Sequence, residues 1–151
     1  MRKIAVFLCV VATLLSFLGC QEEHTYERQK NYTHGVYKLT ITASEISNDS
    51  VGNDWRKSYS CDDRTIFSGE QWIVPLDATE TVIIDAVITE VDKCSDVGYG
   101  SLCVVLTDGF KTSTTITVTE NKGRYKGNKA QWKISCKVTL VEKLEQEQEY
   151  T

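Results

Sequence analysis

From Val36 to Val141 apolar and polar residues alternate with a period of two. Tyr37, Leu39 and Ile41 are separated by Lys38, Thr40 and Thr42, and Val82, Ile84, Ala86 and Ile88 continue the pattern along the longest segment. Trp132, Ile134, Cys136, Val138 and Leu140 repeat it near the end. Residues two apart share one face of an extended strand, whereas a helix needs apolar spacings of three and four, so the pattern excludes a helical body. Abundant Thr, Val, Ile and Tyr agree with half-buried strands. Eight strands are expected, at about 36–46, 55–61, 64–67, 71–76, 81–91, 101–107, 111–119 and 129–141. Turn residues mark the breaks at Asn48-Asp49, Ser68-Gly69, Asp108-Gly109 and Lys122-Gly123. Short strands without a helical run predict an all-β protein, an antiparallel eight-stranded β-sandwich over 36–141. If consecutive strands are antiparallel, the loops 47–54, 68–70, 92–100 and 120–128 share one end.

The first 20 residues carry a different message. Arg2 and Lys3 precede an apolar run, Ile4 to Leu18, that ends at Gly19-Cys20. A positive start, an apolar middle and a small residue before a cut site make a secretory signal over 1–19. The run is shorter than the roughly 20 residues that span a bilayer. Ser16-Phe17-Leu18-Gly19-Cys20 resembles the lipobox of bacterial lipoproteins, with Phe17 where that family usually has Leu. The resemblance implies a lipidated Cys20 as the mature N-terminus and attachment to a membrane of the cell envelope. More than one acyl chain makes such attachment stable. Gln21-Glu22-Glu23 resembles the acidic tag that sends some Bacteroidetes lipoproteins to the outer-membrane surface. Residues 20–35 then read as a polar tether, with a reach of about 50 Å when extended, and residues 142–151, rich in Glu, Gln and Lys, as a charged tail.

Composition narrows the function. Loss of 1–19 removes Arg2 and Lys3 and takes the formal charge from −4 to −6, which gives no electrostatic reason to bind nucleic acid. Cys9 falls in the signal, leaving Cys61, Cys94, Cys103 and Cys136. An even count in an oxidising compartment predicts two disulfides, with three pairings open. No two of these cysteines have zinc-knuckle spacing. His24 and His34 are the only histidines and both lie in the tether, so neither has the fixed geometry that acid–base or nucleophilic catalysis requires. Neither a nucleophile elbow nor a phosphate loop is present, and a binding role is expected rather than an enzyme.

The loops hold the candidate site residues. Asp49 and Asp54 lie in the first, while Glu90, Asp92 and Asp96 open the third. Converging carboxylates repel one another unless a cation joins them, and calcium takes six to eight oxygens from such loops. Asn48-Asp49-Ser50-Val51-Gly52-Asn53-Asp54 resembles the first calcium loop of C2 domains. Gln71-Trp72 resembles that family's fourth strand, and Ile88 to Gly98 its third loop. The resemblance covers about 36–141 and implies a calcium site of Asp49, Asp54, Glu90, Asp92 and Asp96. Trp55 replaces the usual Pro and Glu90 the usual Asp, and an immunoglobulin-like sandwich with solvated turns is the alternative.

The loop 121–129 has the opposite sign. Arg124 and Lys126 are suited to a sulfate, phosphate or acidic sugar with Tyr125 stacked beside it, or else they simply solvate a hairpin. Trp72 and Trp132 are expected in the core. Trp55 at a loop edge is open to either environment, and Tyr99 and Phe110, beside glycines, are candidate exposed aromatics. These features predict a membrane-tethered binding module that presents loop tips to a protein or glycan, with calcium stiffening them. Alternatives are an accessory subunit of a surface assembly, docking by a sheet edge, and a carbohydrate-binding module.

Overall fold

The computed structural model describes residues 31–145. The signal 1–19, Cys20, the tether through residue 30 and the tail 146–151 lie outside the described residues. Eight strands follow in order: β1 (Tyr32–Asn48), β2 (Trp55–Cys61), β3 (Arg64–Ile66), β4 (Gln71–Pro75), β5 (Thr81–Glu90), β6 (Asp96–Val105), β7 (Lys111–Thr119) and β8 (Lys129–Glu145). They form two antiparallel four-stranded sheets, ordered β4-β1-β8-β7 and β3-β2-β5-β6. The protein is an eight-stranded antiparallel β-sandwich. The inward residues of the alternation meet between the sheets: Leu39, Ile84, Ile88, Val104, Ile134 and Val138 are completely buried. Each such side chain contributes about 1.5–3 kcal/mol relative to exposure.

Strand limits differ from the expectation where the backbone rather than the side-chain pattern sets them. β1 and β8 each run 17 residues and pair from Tyr32↔Glu145 to Asn48↔Ala130. Residues 32–35, expected in the tether, and 142–145, expected in the tail, are therefore strand. β6 begins at Asp96, so the expected loop 92–100 is mostly strand. Gly98 and Gly100 lie within this strand. Added Cβ atoms there would stand 2.7 and 2.8 Å from Ile116, so these glycines let β7 close over β6 rather than break a strand.

The expected two disulfides are absent: Cys61, Cys94, Cys103 and Cys136 are all free thiols. The alternation explains this. Cys103 is exposed between buried Leu102 and Val104, Cys136 faces inward in the other sheet, and Cys94 sits in an exposed turn. Cys61 is buried at the end of β2, where a two-residue turn of Asp62 and Asp63, both at positive φ (47° and 60°), leads into β3.

Candidate binding pole

Three connections meet at one end of the sandwich. β1 ends at Asn48 beside Ala130 of β8, β2 starts at Trp55 beside Glu90 of β5, and Glu90 faces Asp96 of β6. Backbone hydrogen bonds tie the connections to neighbouring strands: Asp49 N–H donates to the Lys129 carbonyl at 3.0 Å, and Val91 N–H to the Asp54 carbonyl at 2.7 Å. The loop 68–70 does not reach this pole. Its residues bond to Leu39 and Ile41 in the middle of β1.

The β1–β2 connection is a built loop. The Asn48 side chain accepts from Val51 N–H at 2.9 Å and donates to the Gly52 carbonyl at 2.7 Å. Ser50 has φ 57°, and Val51 is 3% exposed, plugged into the core. Gly52, at φ 139°, lies on the Glu90 side chain: a Cβ there would stand 2.2 Å from Glu90 Oε1.

Glu90 is the singular residue of the pole. It is 4% exposed, and its Oε2 has no hydrogen-bond partner. Burial pushes its carboxyl above the ordinary carboxylate range, and the charges of Asp92, Glu120, Asp96 and Asp54 push it the same way. Asp96, 3% exposed, accepts from Asn121 N–H at 3.2 Å and from Asn121 Nδ2 at 2.7 Å, tying the β7–β8 connection to β6. Asp92 accepts from Cys94 N–H at 2.6 Å, rounding the β5–β6 turn.

Of the five carboxylates expected to converge, Asp54, Asp92 and Asp96 act on Glu90, and Asp49 is not among the charges that do. Among the described residues no three acidic, histidine or cysteine side chains form a ready metal cage. One oxygen of Asp92 and one of Asp96 serve the loops, and the second oxygen of each carboxylate is left for another partner. Glu120 and Asn121 were missed by the sequence reading, because a Glu-Asn pair at a strand end carries no motif.

The aromatic candidates separate. Trp55 is half-buried, with its ring 5.3 Å from that of Trp132 at 58°, and Lys57 Nζ sits 4.5 Å over Trp132. Trp132 is core, as expected, and Trp72 packs against the core with Arg64 over its ring, where Arg64 also pairs with Glu70. Phe110 likewise packs against the core. Tyr99 is 74% exposed but lies opposite Val87 along the β5–β6 ladder, away from the loop tips. Tyr125 is at the pole. With Glu45, Asn48, Ser50, Gly52 and Asn53 it lines an open groove of about 440 Å³. Arg124 lies over its ring at 5.6 Å, and both Arg124 and Lys126 are exposed.

Comparison with protein-family models, curated proteins and solved structures finds no match to this chain. The pole therefore stands on its own geometry: a polar groove walled by two connections, above a buried carboxyl whose Oε2 has no hydrogen-bond partner among the described residues.

Proposed function

We propose that this chain is an exported, lipid-anchored β-sandwich binding module that engages a partner through its β1–β2, β5–β6 and β7–β8 connections, with calcium stiffening them. The anchoring rests on the resemblance of 16–20 to a lipobox. The observation that carries the pole is Glu90, a buried carboxyl with an orphaned oxygen among four other acids. A buried charge of this kind is retained only with a compensating partner, and a divalent cation is the partner that acidic loops favour. Glu90, Asp54, Asp92 and Asp96 would hold it together with loop carbonyls. The ion would supply the positive charge that this cluster lacks. The groove beside Tyr125 then offers the exposed contact surface.

Thermal melting in millimolar calcium against chelator tests the metal. Binding to the folded state alone must raise Tm, by about 2.7 kcal/mol of stability at a hundred times Kd. An unchanged Tm at millimolar calcium removes calcium from the proposal. Capture of the anchored protein with its envelope neighbours tests the contact. Loss of the neighbour on Tyr125→Ala supports the pole, and full recovery moves the contact to a sheet edge.

A further inference from the structure

The outer face of the β1, β8 and β7 strands is basic in an acidic protein. Its outward positions are Lys38, Thr40, Thr42 and Ser44 on β1, alternate residues of β7 from Lys111 to Thr119, and alternate residues of β8 from Lys129 to Thr139. These positions hold five exposed lysines, 38, 111, 129, 133 and 137, and otherwise only Ser, Thr and Gln. The chain as a whole has more acids than bases, 21 against 17. Yet none of these lysines forms an ion pair among the described residues. Asp108, just before β7, accepts from Leu140 N–H at 2.8 Å instead.

The face is also shaped. Lys111, Lys133 and Lys137, with Thr40, Thr42 and Ser135, line an open groove of about 640 Å³. That volume falls within the roughly 300–1,000 Å³ of ligand clefts. Lys111 stands directly opposite Lys137, a like-charge pair that destabilises the bare sheet. One row further on, Thr42, Ser135 and Ser113 make a band of hydroxyls, and Lys133 follows in the next row.

From this arrangement we infer that the outer face of the β1-β8-β7 strands binds an acidic glycan, a linear saccharide carrying carboxylates or sulfates. Lysines 129, 133 and 137 recur every four residues along one strand, a spacing of about 13 Å at roughly 3.3 Å per residue. A line of repeated charge suits a polymer with repeated anions better than a single ion. The intervening hydroxyls match sugar hydroxyls in both donor and acceptor capacity. No aromatic side chain lies at these positions to stack a base, which single-stranded nucleic acid recognition uses. No apolar side chain lies at these central positions to enter a bilayer; the exposed Ile46, Ile73 and Val141 stand at the margins of the sheet, apart from the lysine groove. The groove at Lys111, Lys133 and Lys137 lies away from Glu90, with the row reaching the pole only at Lys129, and the inference stands whether or not calcium binds there.

The test measures binding of the full chain, in detergent, to dextran sulfate and to polygalacturonate. Unsubstituted dextran, oligo-dT and phosphatidylglycerol vesicles are the comparison arms. The expected result is binding to either acidic glycan that weakens with salt, with none to dextran. The triple variant Lys111→Gln, Lys133→Gln, Lys137→Gln should lose about tenfold, the scale of three modest charge contacts. Its Tm should not fall, since a repulsive pair has gone. Arginine at the same three positions should retain binding. Arg56→Gln, an exposed cation on β2 in the other sheet, should leave affinity unchanged. Equal binding by wild type and the triple variant would overturn the inference. So would an equal loss on Arg56→Gln, or tighter binding to oligo-dT or to vesicles than to either acidic glycan.

Discussion

At Glu90 protonation and the proposed cation would act on the same orphaned carboxyl. Its folded-state pKa is raised by burial first and by neighbouring acids second, so the native state holds the proton more tightly than the unfolded chain, where a glutamate titrates near 4.3. Native protein then binds more protons than unfolded protein. The contribution of this group to stability is full below about pH 4.3 and is lost as pH rises through the folded value. Without calcium, Glu90→Gln should raise Tm at pH 7 by a few degrees and flatten that part of the pH profile. Calcium should then stabilise wild type more at pH 7 than at pH 5 and leave the variant unmoved. Thermal melts across pH with chelator or calcium measure both. A wild type and variant with parallel pH profiles would contradict the role given to this carboxyl.

The thiols are predictable at the same scale. Burial pushes the Cys136 thiol up to about 11, and burial with the Asp62 charge raises Cys61. At pH 8 only about one Cys136 in a thousand is the reactive thiolate. In a full chain with Cys9→Ser and Cys20→Ser, Cys94 and Cys103 should label quickly, and Cys61 and Cys136 only on unfolding. Mass spectrometry of the alkylated chain counts them, and a mass two or four protons light before labelling would restore the disulfides.

Among the elements, β6 shows both what the sequence reveals and what it conceals. Residues 102 to 106 alternate visibly and are buried at every second position, so that half of the strand is legible. The half from Asp96 to Gly100 is not, because Gly98 and Gly100 have no side chain to show a face, and their neighbour Ile116 lies in another sheet. Gly98→Ala is expected to destabilise by about 2–3 kcal/mol, since the new methyl would meet the Thr117 carbonyl at 2.7 Å and backbone cannot step aside. Denaturant unfolding measures it, and a change under about 0.5 kcal/mol would show that the two sheets yield there. The ends of β1 and β8 were hidden for a related reason. Their last pairs rest on backbone hydrogen bonds between mostly exposed residues, which leave no periodic trace.

For the whole molecule, the period-two pattern was enough to place the chain in the β-sandwich class, because inward residues such as Leu39, Ile84 and Val138 announce a two-layer core. The meeting of the acidic connections was partly legible, since antiparallel order alone sends alternate loops to one end. Which acids converge was not, because Asp49 and Asp54 differ only in how the Asn48-to-Gly52 loop turns them. The long seam between β1 and β8 has a mechanical consequence. β1 enters at the end opposite the pole and β8 starts at the pole, so a chain held at its N-terminal side and tugged at the β7–β8 tip is loaded lengthwise along that seam. Hydrogen bonds from Tyr32 to Asn48 then resist sliding together rather than peeling one by one. Such a ladder breaks all its rungs at once rather than unzipping, so the sandwich is stiffest along its own long axis.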